Sequence, residues 1–329
     1  FVKGVDFYKV SICFPLRICY NYTCHLHRKM EDIVRKKNFL LVFILLLLST
    51  AILFTACENK EEKEMEGKVK VISYNVLVEW CTEYNGSNET KKYDLTSRLK
   101  DLSALLKKEK PDSFGVQECS YAIKQDLLKN LTNYDCVGTM DTGGPDDPNA
   151  FGTFIFYNKN KYKVVETKNF WLSTTPDKVS TYPGADRPRN GCWVILENLE
   201  TGEQYGQVNV HVEWKTKQSN SYGSKYTRKM VEELAARGLP VFCTGDFNVE
   251  SENYIGVQIM TEEGDVSIKD SQEVAKVAED SHSTHFDIPE RKIDFCFVTD
   301  QKIDVETYGL IGDYTISDHR GVKVVATLK

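Results

Sequence analysis

The chain has 329 residues, of which 41% are hydrophobic and 27% are charged, and its formal net charge is −6. This length and apolar content suffice for a large buried core and permit one or two domains. The acidic balance argues against a protein that holds long nucleic acid mainly by neutralising phosphates, which normally requires a strongly basic face, although it does not exclude a nuclease.

The amino-terminal segment predicts export. Met30 begins a short basic stretch, which is followed by an uncharged apolar run over 39–54 and then by Thr55-Ala56-Cys57. This order is typical of a signal peptide over 30–56, and its ending resembles a bacterial lipobox, in which Cys57 is acylated and becomes the new amino terminus. Residues 1–29 match no targeting pattern, and we expect them to come from an over-extended gene model. An uncleaved membrane anchor is the alternative, although a span needs about 20 apolar residues.

The segment 57–67 is charged and has no apolar periodicity, which predicts a flexible tether. Without residues 1–56 the chain keeps 34 Lys and Arg against 45 Asp and Glu, a formal charge of −11. We therefore expect an exported protein, lipid-anchored to the outside of a bacterial cell membrane, whose folded domain covers 68–329.

Helical and strand-like patterns alternate through this domain. A strand over 68–75 precedes a helix over 94–110, whose leucines form one stripe and which Pro111 ends. Further helices are predicted over 121–130 and about 224–237, whereas 251–291 looks irregular, and two strands close the chain with His319 between them. Other predicted strands, several linked as hairpins, cover 134–138, 151–157, 193–200 and 204–211.

Six polar positions follow or adjoin apolar, strand-like runs. They place carboxylate, amide or imidazole groups where buried strands would leave their sheets, and function usually lies at that edge. In chain order the six positions are Asn75, Glu118, His211, Asp246 with Asn248, Asp294, and Asp318 with His319.

The order and context of these six positions resemble the endonuclease/exonuclease/phosphatase superfamily, the metal-dependent phosphoesterases that include DNase I. The resemblance covers roughly Lys68 to Lys329. It implies an α/β fold, a four-layered α/β sandwich in which two mixed β-sheets pack face to face with helices outside. The interleaving of helices with hairpin-linked strands predicts the same two mixed sheets.

The resemblance also implies a metal site. Glu118 would be the primary ligand with Asn75 beside it, and Asp318 would approach the same ion. Hard oxygen donors of this kind favour Mg²⁺, with Mn²⁺ as a substitute.

The remaining motif residues take catalytic roles in the same resemblance. Asp246 would orient or deprotonate the attacking water, and Asn248, two residues on along an extended segment, would hold a phosphate oxygen or a second metal. His319 would contact the phosphate or transfer a proton, with Asp294 fixing its ring and raising its pKa. His211 would contact phosphate. The sequence leaves open whether Asp246 or His319 is the general base.

Substrate contacts are expected from three further residues. Arg187 and Arg189 resemble the arginine that precedes a Trp-containing strand in secreted bacterial members, and His285 lies in a loop where the family varies its substrate contacts. For His285 a solvated loop is the simpler alternative. The basic segment 215–229 is either a solvated loop and helix start or a rim that attracts phosphate.

Together these features predict a monomeric, magnesium-dependent hydrolase of a phosphodiester or phosphomonoester. Nucleic acid, a phospholipid head group and a sugar phosphate all remain open as substrates. The alternative is a non-catalytic surface binding protein on the same fold, but such a protein has no physical need to keep costly clustered carboxylates.

Overall fold

A computed structural model of the chain describes residues 65–80, 94–142, 144, 147, 149–249, 255–279, 283–286 and 291–329. Cys57, the predicted leader and most of the predicted tether lie outside these ranges. Within them, Gly67 to Lys329 forms one compact unit. None of the helices in the described ranges has the length and apolar character needed to cross a membrane.

Strands and helices alternate irregularly along the described chain. The strands are β1 Lys68–Asn75, β2 Ser113–Ser120, β3 Tyr134–Met140, β4 Phe151–Asn158, β5 Tyr162–Trp171, β6 Asn190–Asn198, β7 Gln204–His211, β8 Val241–Asp246, β9 Ile268–Asp270, β10 Val277–Ala278, β11 Asp294–Thr299, β12 Ile303–Ile311 and β13 Gly321–Leu328. The helices are α1 Leu95–Glu109, α2 Tyr121–Asn130, α3 Lys217–Ala235, α4 Gly256–Thr261 and α5 Ser271–Val274.

The strands form two mixed sheets. The first has the order β10-β12-β13-β1-β2-β4-β3, and the second has the order β5-β6-β7-β8-β11-β9. Within the first sheet β1 pairs with β2 in parallel, and within the second β7 pairs with β8 in parallel, whereas most other neighbours are antiparallel. These parallel pairs lie near the middle of each sheet. Three of the four strands end in a predicted motif residue, and Glu118 lies two residues before the end of β2.

Three apolar clusters show the layering. One packs α1 and α2 against the first sheet, a second lies between the two sheets, and a third packs α3 and α4 against the second sheet. The arrangement is a four-layered sandwich with helices outside, which confirms the predicted fold class.

Helix α1 matches the sequence prediction because its local signals agree with its packing. Asp94 caps the first turn by accepting from the backbone N–H of Ser97 at 2.9 Å. Lys110 ends the helix in the left-handed conformation, and Pro111 follows it. The leucine stripe is the buried face.

Helix α3 begins seven residues before the predicted start. Residues 217–223 include Ser, Asn and Gly, which are weak helix formers and give little local signal for a helix. The structure supplies a cap, since Thr216 Oγ1 accepts from the N–H of Ser219 at 3.2 Å. The buried Asn220 side chain also donates to the carbonyl oxygens of Glu213 and Phe247, each at 2.8 Å. Tertiary bonds therefore override a weak local preference.

Three other sequence predictions were wrong in detail. The described part of 251–291 contains α4, β9, α5 and β10 rather than an irregular run, and three strands, not two, close the chain. The prediction also missed β5 as a strand, because its central residues are mostly exposed or half-buried and lack a clean apolar alternation.

Candidate active site

Three strands of the second sheet bring a row of polar groups to one edge. His211 ends β7, Asp246 ends β8, and the two residues lie opposite each other in the parallel register. Asp294 lies opposite Asp246 in the antiparallel pair with β11, so it begins a strand, whereas the sequence predicted a strand end. The reversed direction of β11 leaves Asp294 at the same edge.

Asn75, the last residue of β1, joins the two sheets at this edge. Its Nδ2 donates to Asp246 Oδ2 at 3.0 Å and to Glu118 Oε1 at 3.2 Å. Its Oδ1 accepts from the N–H of Leu77 at 3.1 Å. The amide nitrogen therefore faces the carboxylates, and metal ligation through Oδ1, as the sequence predicts, requires the amide to turn over.

Glu118 lies within β2 at an irregularity, not at the strand end that the sequence predicted. The pairing of β2 with β4 shifts between Val116 and Cys119, and Glu118 has a positive φ of 55°. This bulge re-aims the side chain, whose Oε2 accepts from the N–H of Val78 at 3.1 Å. Burial, followed by the charge of Asp318, raises the pKa of Glu118.

His319, in the loop before β13, is held by Asp294. Its Nδ1 lies 2.8 Å from Asp294 Oδ2, as expected from the predicted pairing. Its Nε2 lies 3.8 Å from Asp318 Oδ1 and 3.9 Å from Asp246 Oδ2. Burial alone would lower the pKa of His319, but Asp294, Asp318 and Asp246 outweigh it and hold the pKa well above the ordinary value. The ring is therefore cationic near neutral pH.

His211 has the opposite protonation state. Burial, followed by the charges of Arg189 and His319, holds its pKa well below the ordinary value, so the ring is neutral. Its Nε2 lies 3.6 Å from Asp246 Oδ2. The site thus presents one cationic and one neutral imidazole on either side of the same carboxylate.

Asp246 is fully buried between these rings. Burial, followed by the charge of Asp294, raises its pKa to about 7. A carboxyl group with this pKa is matched to general-base work near neutral pH. Its Oδ1 accepts from the N–H of Asn248 at 2.9 Å.

The sequence predicted Asn248 on an extended segment, but the structure does not place it there. Its φ is 49°, and its Nδ2 donates to the carbonyl oxygen of Val212 at 3.0 Å. The chain turns directly after Asp246, and the Asp246 side chain stabilises that turn. The side chain of Asn248 therefore ties β7 to β8 at this edge.

Asp318 and His285 complete the inner surface. Asp318 is buried, and burial raises its pKa while the charge of His319 opposes that shift. His285 is also buried, in contrast to the solvated loop weighed from the sequence, and its Nε2 lies 3.6 Å from Asp318 Oδ2. His282, the other histidine of that loop, lies outside the described residues.

The donor set fits a divalent cation. Carboxylate oxygens of Glu118 and Asp246 converge on the Asn75 amide, and the charge of Asp318 acts on Glu118. Burial is the largest cause of the raised pKa of all three carboxyl groups, and the cationic His319 opposes the shift in each. Two sets of three buried residues could each hold a metal ion, because one donor atom from each residue of a set lies within 4.8 Å of the other two. One set is Asp246, Asp294 and His319, and the other is His285, Asp318 and His319.

The two predicted arginines lie on the His211 side and are both engaged by acids. Nη1 of Arg189 lies 3.1 and 3.2 Å from the ring nitrogens of His211, and its Nε lies 3.5 Å from Glu213 Oε2. Arg187 forms an ion pair with Asp141 and stacks over the Phe151 ring at 3.9 Å from the centroid. Substrate contact by either arginine stays a prediction.

Arg98 is a supporting residue that the sequence did not reveal. Its guanidinium is buried and donates to the carbonyl oxygens of Val76, Leu77 and Ile316 at 2.6–2.7 Å. It thereby joins the chain after β1 to the loop that carries Asp318. A signal existed, since Arg98 occupies a helical position on the apolar stripe of α1, where an exposed arginine would not be expected.

A second supporting network fastens the sheets beneath the site. Asn209 Oδ1 accepts from Gln117 Nε2 at 2.7 Å and from Thr244 Oγ1 at 3.0 Å, and Asn209 Nδ2 donates to two carbonyl oxygens of the first sheet. Gly115 allows this approach, because a Cβ there would lie 2.5 Å from Asn209 Oδ1. Gln117, directly before Glu118, and Asn209, two residues before His211, are therefore structural neighbours of two predicted site residues.

Three basic side chains of the segment 215–229 are already engaged in ion pairs or hydrogen bonds within the protein. Lys215 pairs with Asp186 at 2.9 Å, and Lys229 pairs with Glu233 at 3.6 Å. Arg228 is buried and donates to backbone carbonyl oxygens of α4. Lys215 and Lys229 are exposed and ion-paired, which fits the solvated interpretation, whereas the buried Arg228 fits neither interpretation.

Comparison with known proteins agrees with this geometry. The model of the Endonuclease/Exonuclease/phosphatase family matches residues 72–319. The chain belongs to this family. Family membership confirms the predicted enzyme class, so the protein is a metal-dependent hydrolase of phosphate esters.

Solved structures show the same fold over nearly their whole length. An endonuclease/exonuclease/phosphatase family protein from Bacteroides thetaiotaomicron is 27% identical, with a TM-score of 0.68, over 79% of this chain and 97% of that one. A mannosyl-6-phosphatase of the same species is 28% identical, with a TM-score of 0.68, over 78% and 99%. The human Nocturnin catalytic domain shares the fold at 15% identity and a TM-score of 0.59, over 80% and 95%. No curated protein sequence matches the chain.

Proposed function

We propose that the protein is a magnesium-dependent phosphoesterase that acts outside the cell on a small phosphorylated molecule. A sugar phosphate is the leading candidate for this substrate. The observation that carries the proposal is the convergence of Glu118, Asp246 and His319. They come from separate parts of the chain, and all three are linked through contacts with Asn75 or with one another.

Glu118 and Asp318 would hold the cation, together with Asn75 once its amide turns over. Mg²⁺ suits this set because it prefers carboxylate and amide oxygens and keeps several waters. When bound, the cation would neutralise charge on the non-bridging oxygens of the phosphate.

The chain's own residues then divide the remaining tasks. Asp246 would take a proton from the attacking water, since the raised pKa of its carboxyl group suits that transfer. His319, kept cationic by Asp294, would donate from Nε2 to a phosphate oxygen. The neutral His211 would contact a second oxygen without adding charge. This division assigns the general base to Asp246, because a cationic imidazole has no free lone pair to accept a proton.

Two observations favour a small substrate over a polymer. The net charge is negative, and the cations Lys215, Arg228 and Lys229 are already paired or buried. A protein that tracks a nucleic acid backbone needs several free cations. The mannosyl-6-phosphatase that shares 28% identity with this chain makes a sugar 6-phosphate the first substrate to test.

The test is a screen of the purified full chain against mannose 6-phosphate, bis(p-nitrophenyl) phosphate, single-stranded DNA and sphingomyelin, with Mg²⁺ and with EDTA. We expect Mg²⁺-dependent release of phosphate from the sugar ester, lost in Glu118→Gln and kept in the exposed Glu200→Gln control. Faster cleavage of DNA, with a steep loss on adding salt, would replace the sugar phosphate by nucleic acid. No turnover of any ester would favour a binding protein.

We also propose export and lipid anchoring at Cys57, with the sequence of 30–57 as the support. Radiolabelled palmitate should label the wild-type chain in a bacterial host and not Cys57→Ala. Equal labelling of the variant would refute the anchor. Size-exclusion chromatography of the soluble domain tests the proposed monomer.

A further inference from the structure

A second imidazole lies directly against the proposed catalytic histidine. The rings of His285 and His319 have centroids 4.3 Å apart, and the two residues form an antiparallel β-bridge. Both side chains are more than nine-tenths buried. The proposed hydrolysis assigns His285 no step.

The backbone fixes His285 in this position. Thr284 Oγ1 accepts from the N–H groups of Ile293 and Asp294 at 3.0 and 3.2 Å, and Arg320 N donates to the carbonyl oxygen of Thr284 at 2.8 Å. The segment is thereby tied on one side to the start of β11 and on the other to the loop that carries His319. A ligand atom held in this way needs little reorganisation to bind.

Asp318 lies between the two rings. Its Oδ2 is 3.6 Å from His285 Nε2, and its Oδ1 is 3.8 Å from His319 Nε2. One donor atom from each of the three residues lies within 4.8 Å of the other two. A tetrahedral zinc ion with bonds of about 2.0–2.1 Å sets its donors about 3.3 Å apart, so three donor atoms that lie within 4.8 Å of one another need to close by at most about 1.5 Å.

The orientation of both rings suits a metal. His319 Nδ1 is bonded to Asp294, an arrangement that leaves Nε2 to face the ion and that is common behind zinc-bound histidines. His285 directs Nε2 toward Asp318, and its buried Nδ1 has no hydrogen-bond partner among the described residues. Nδ1 can carry the proton of the neutral ring, which leaves the Nε2 lone pair for an ion.

We propose that His285, Asp318 and His319 form a binding site for a borderline transition-metal ion of the Zn²⁺ type. Two imidazoles and one carboxylate differ from the all-oxygen set proposed for Mg²⁺, and imidazole favours Zn²⁺, Cu²⁺ and Ni²⁺ over Mg²⁺. Binding releases the Nε2 proton of His319 to solvent, and occupancy inhibits hydrolysis because it takes that nitrogen away from the substrate phosphate and competes for Asp318. The inhibition rests on the proposed function, whereas the binding does not.

The binding test uses the metal-free full chain and Co²⁺ as a coloured substitute for Zn²⁺, in excess Mg²⁺. We expect the wild-type protein to show the absorption band of tetrahedral Co²⁺ and to lose it when Zn²⁺ displaces the Co²⁺. X-ray absorption spectroscopy of the zinc-loaded protein should show two imidazole ligands. His285→Asn should weaken Zn²⁺ binding about 100-fold and reduce the count to one imidazole. Retained affinity in His285→Asn, or fewer than two imidazoles in wild type, would overturn the site.

His211→Asn is the matched control, since it removes an imidazole from the same active site but outside the proposed donor set. We expect it to lose turnover and keep the Co²⁺ band. In the inhibition assay, Zn²⁺ should stop wild-type hydrolysis at saturating Mg²⁺, and the remaining activity of His285→Asn should need about 100-fold more Zn²⁺. If wild type and His285→Asn are equally sensitive to Zn²⁺ while wild type shows the Co²⁺ band, the site binds metal but does not cause the inhibition. Thermal melts confirm that each variant is folded.

Discussion

Replacing Asp294 by Asn tests the electrostatic design of the site. Asp294 is fully buried, and its Oδ2 lies 2.8 Å from His319 Nδ1. The amide keeps the size of the side chain and can still accept a hydrogen bond through its oxygen, so the substitution removes the charge and little else. Asp318 and Asp246 remain 3.8 and 3.9 Å from His319 Nε2 and retain part of the stabilisation of the cation.

The size of the effect follows from that contact. A hydrogen bond between charged groups contributes about 1.5–3 kcal/mol, and 1.4 kcal/mol corresponds to a factor of ten. We therefore expect kcat/KM to fall about 10- to 150-fold at the wild-type optimum. The exposed Asp177→Asn should leave kcat/KM unchanged.

The pH profile gives the more specific readout. Activity needs the Asp246 carboxylate and the cationic His319, so the low-pH limb reports Asp246 and the high-pH limb reports His319. Asp294 raises the pKa of both groups. Neutralising Asp294 lowers both pKa values, so both limbs of the bell-shaped pH profile of kcat/KM move to lower pH. A bound cation lowers the Asp246 limb further in both proteins without changing the direction of the difference.

The assay is kcat/KM for the preferred ester between pH 5 and about 10, at saturating Mg²⁺ for each protein. Chemical-shift titration of the His319 ring in the metal-free protein measures the same pKa change directly. A high-pH limb that stays in place, or moves upward, in Asp294→Asn would refute the reasoning.

Three further predictions concern the metal, the sheets and α3. Glu118→Gln should weaken Mn²⁺ binding by about tenfold or more in calorimetry, because it removes a charged ligand; an unchanged Kd would exclude that role. Gly115→Ala should lower the free energy of unfolding in urea by about 1–3 kcal/mol, since the new Cβ would collide with Asn209, and a loss below about 0.5 kcal/mol would contradict that packing. Thr216→Ala should cost about 1 kcal/mol in the same experiment through the lost cap, whereas Thr216→Ser should cost much less.

The sequence predicted those parts of the fold and the site whose signals are local. Apolar runs that end in Asn75, His211 and Asp246 marked the strand ends, and the leucine stripe and Pro111 marked α1. The pairing of Asp294 with His319 was expected only from the family pattern.

The parts that could not be predicted depend on tertiary contacts. The positive φ of Glu118 and Asn248 re-aims the chain at two motif residues, and neither is a glycine that would have signalled it. The early start of α3 depends on bonds from Asn220 to distant carbonyl oxygens. The position of Arg98 on the apolar stripe of α1 indicates burial, but the three carbonyl groups that it binds are known only from the fold.

The central claim is that Glu118, Asn75 and Asp318 hold one divalent cation beside Asp246 and His319. Anomalous scattering from a crystal grown with Mn²⁺ tests it most directly. The account predicts a manganese peak within about 2.5 Å of a Glu118 carboxylate oxygen, with Asn75 Oδ1 turned toward it. A peak that contacts neither Glu118 nor Asp318 would contradict the account.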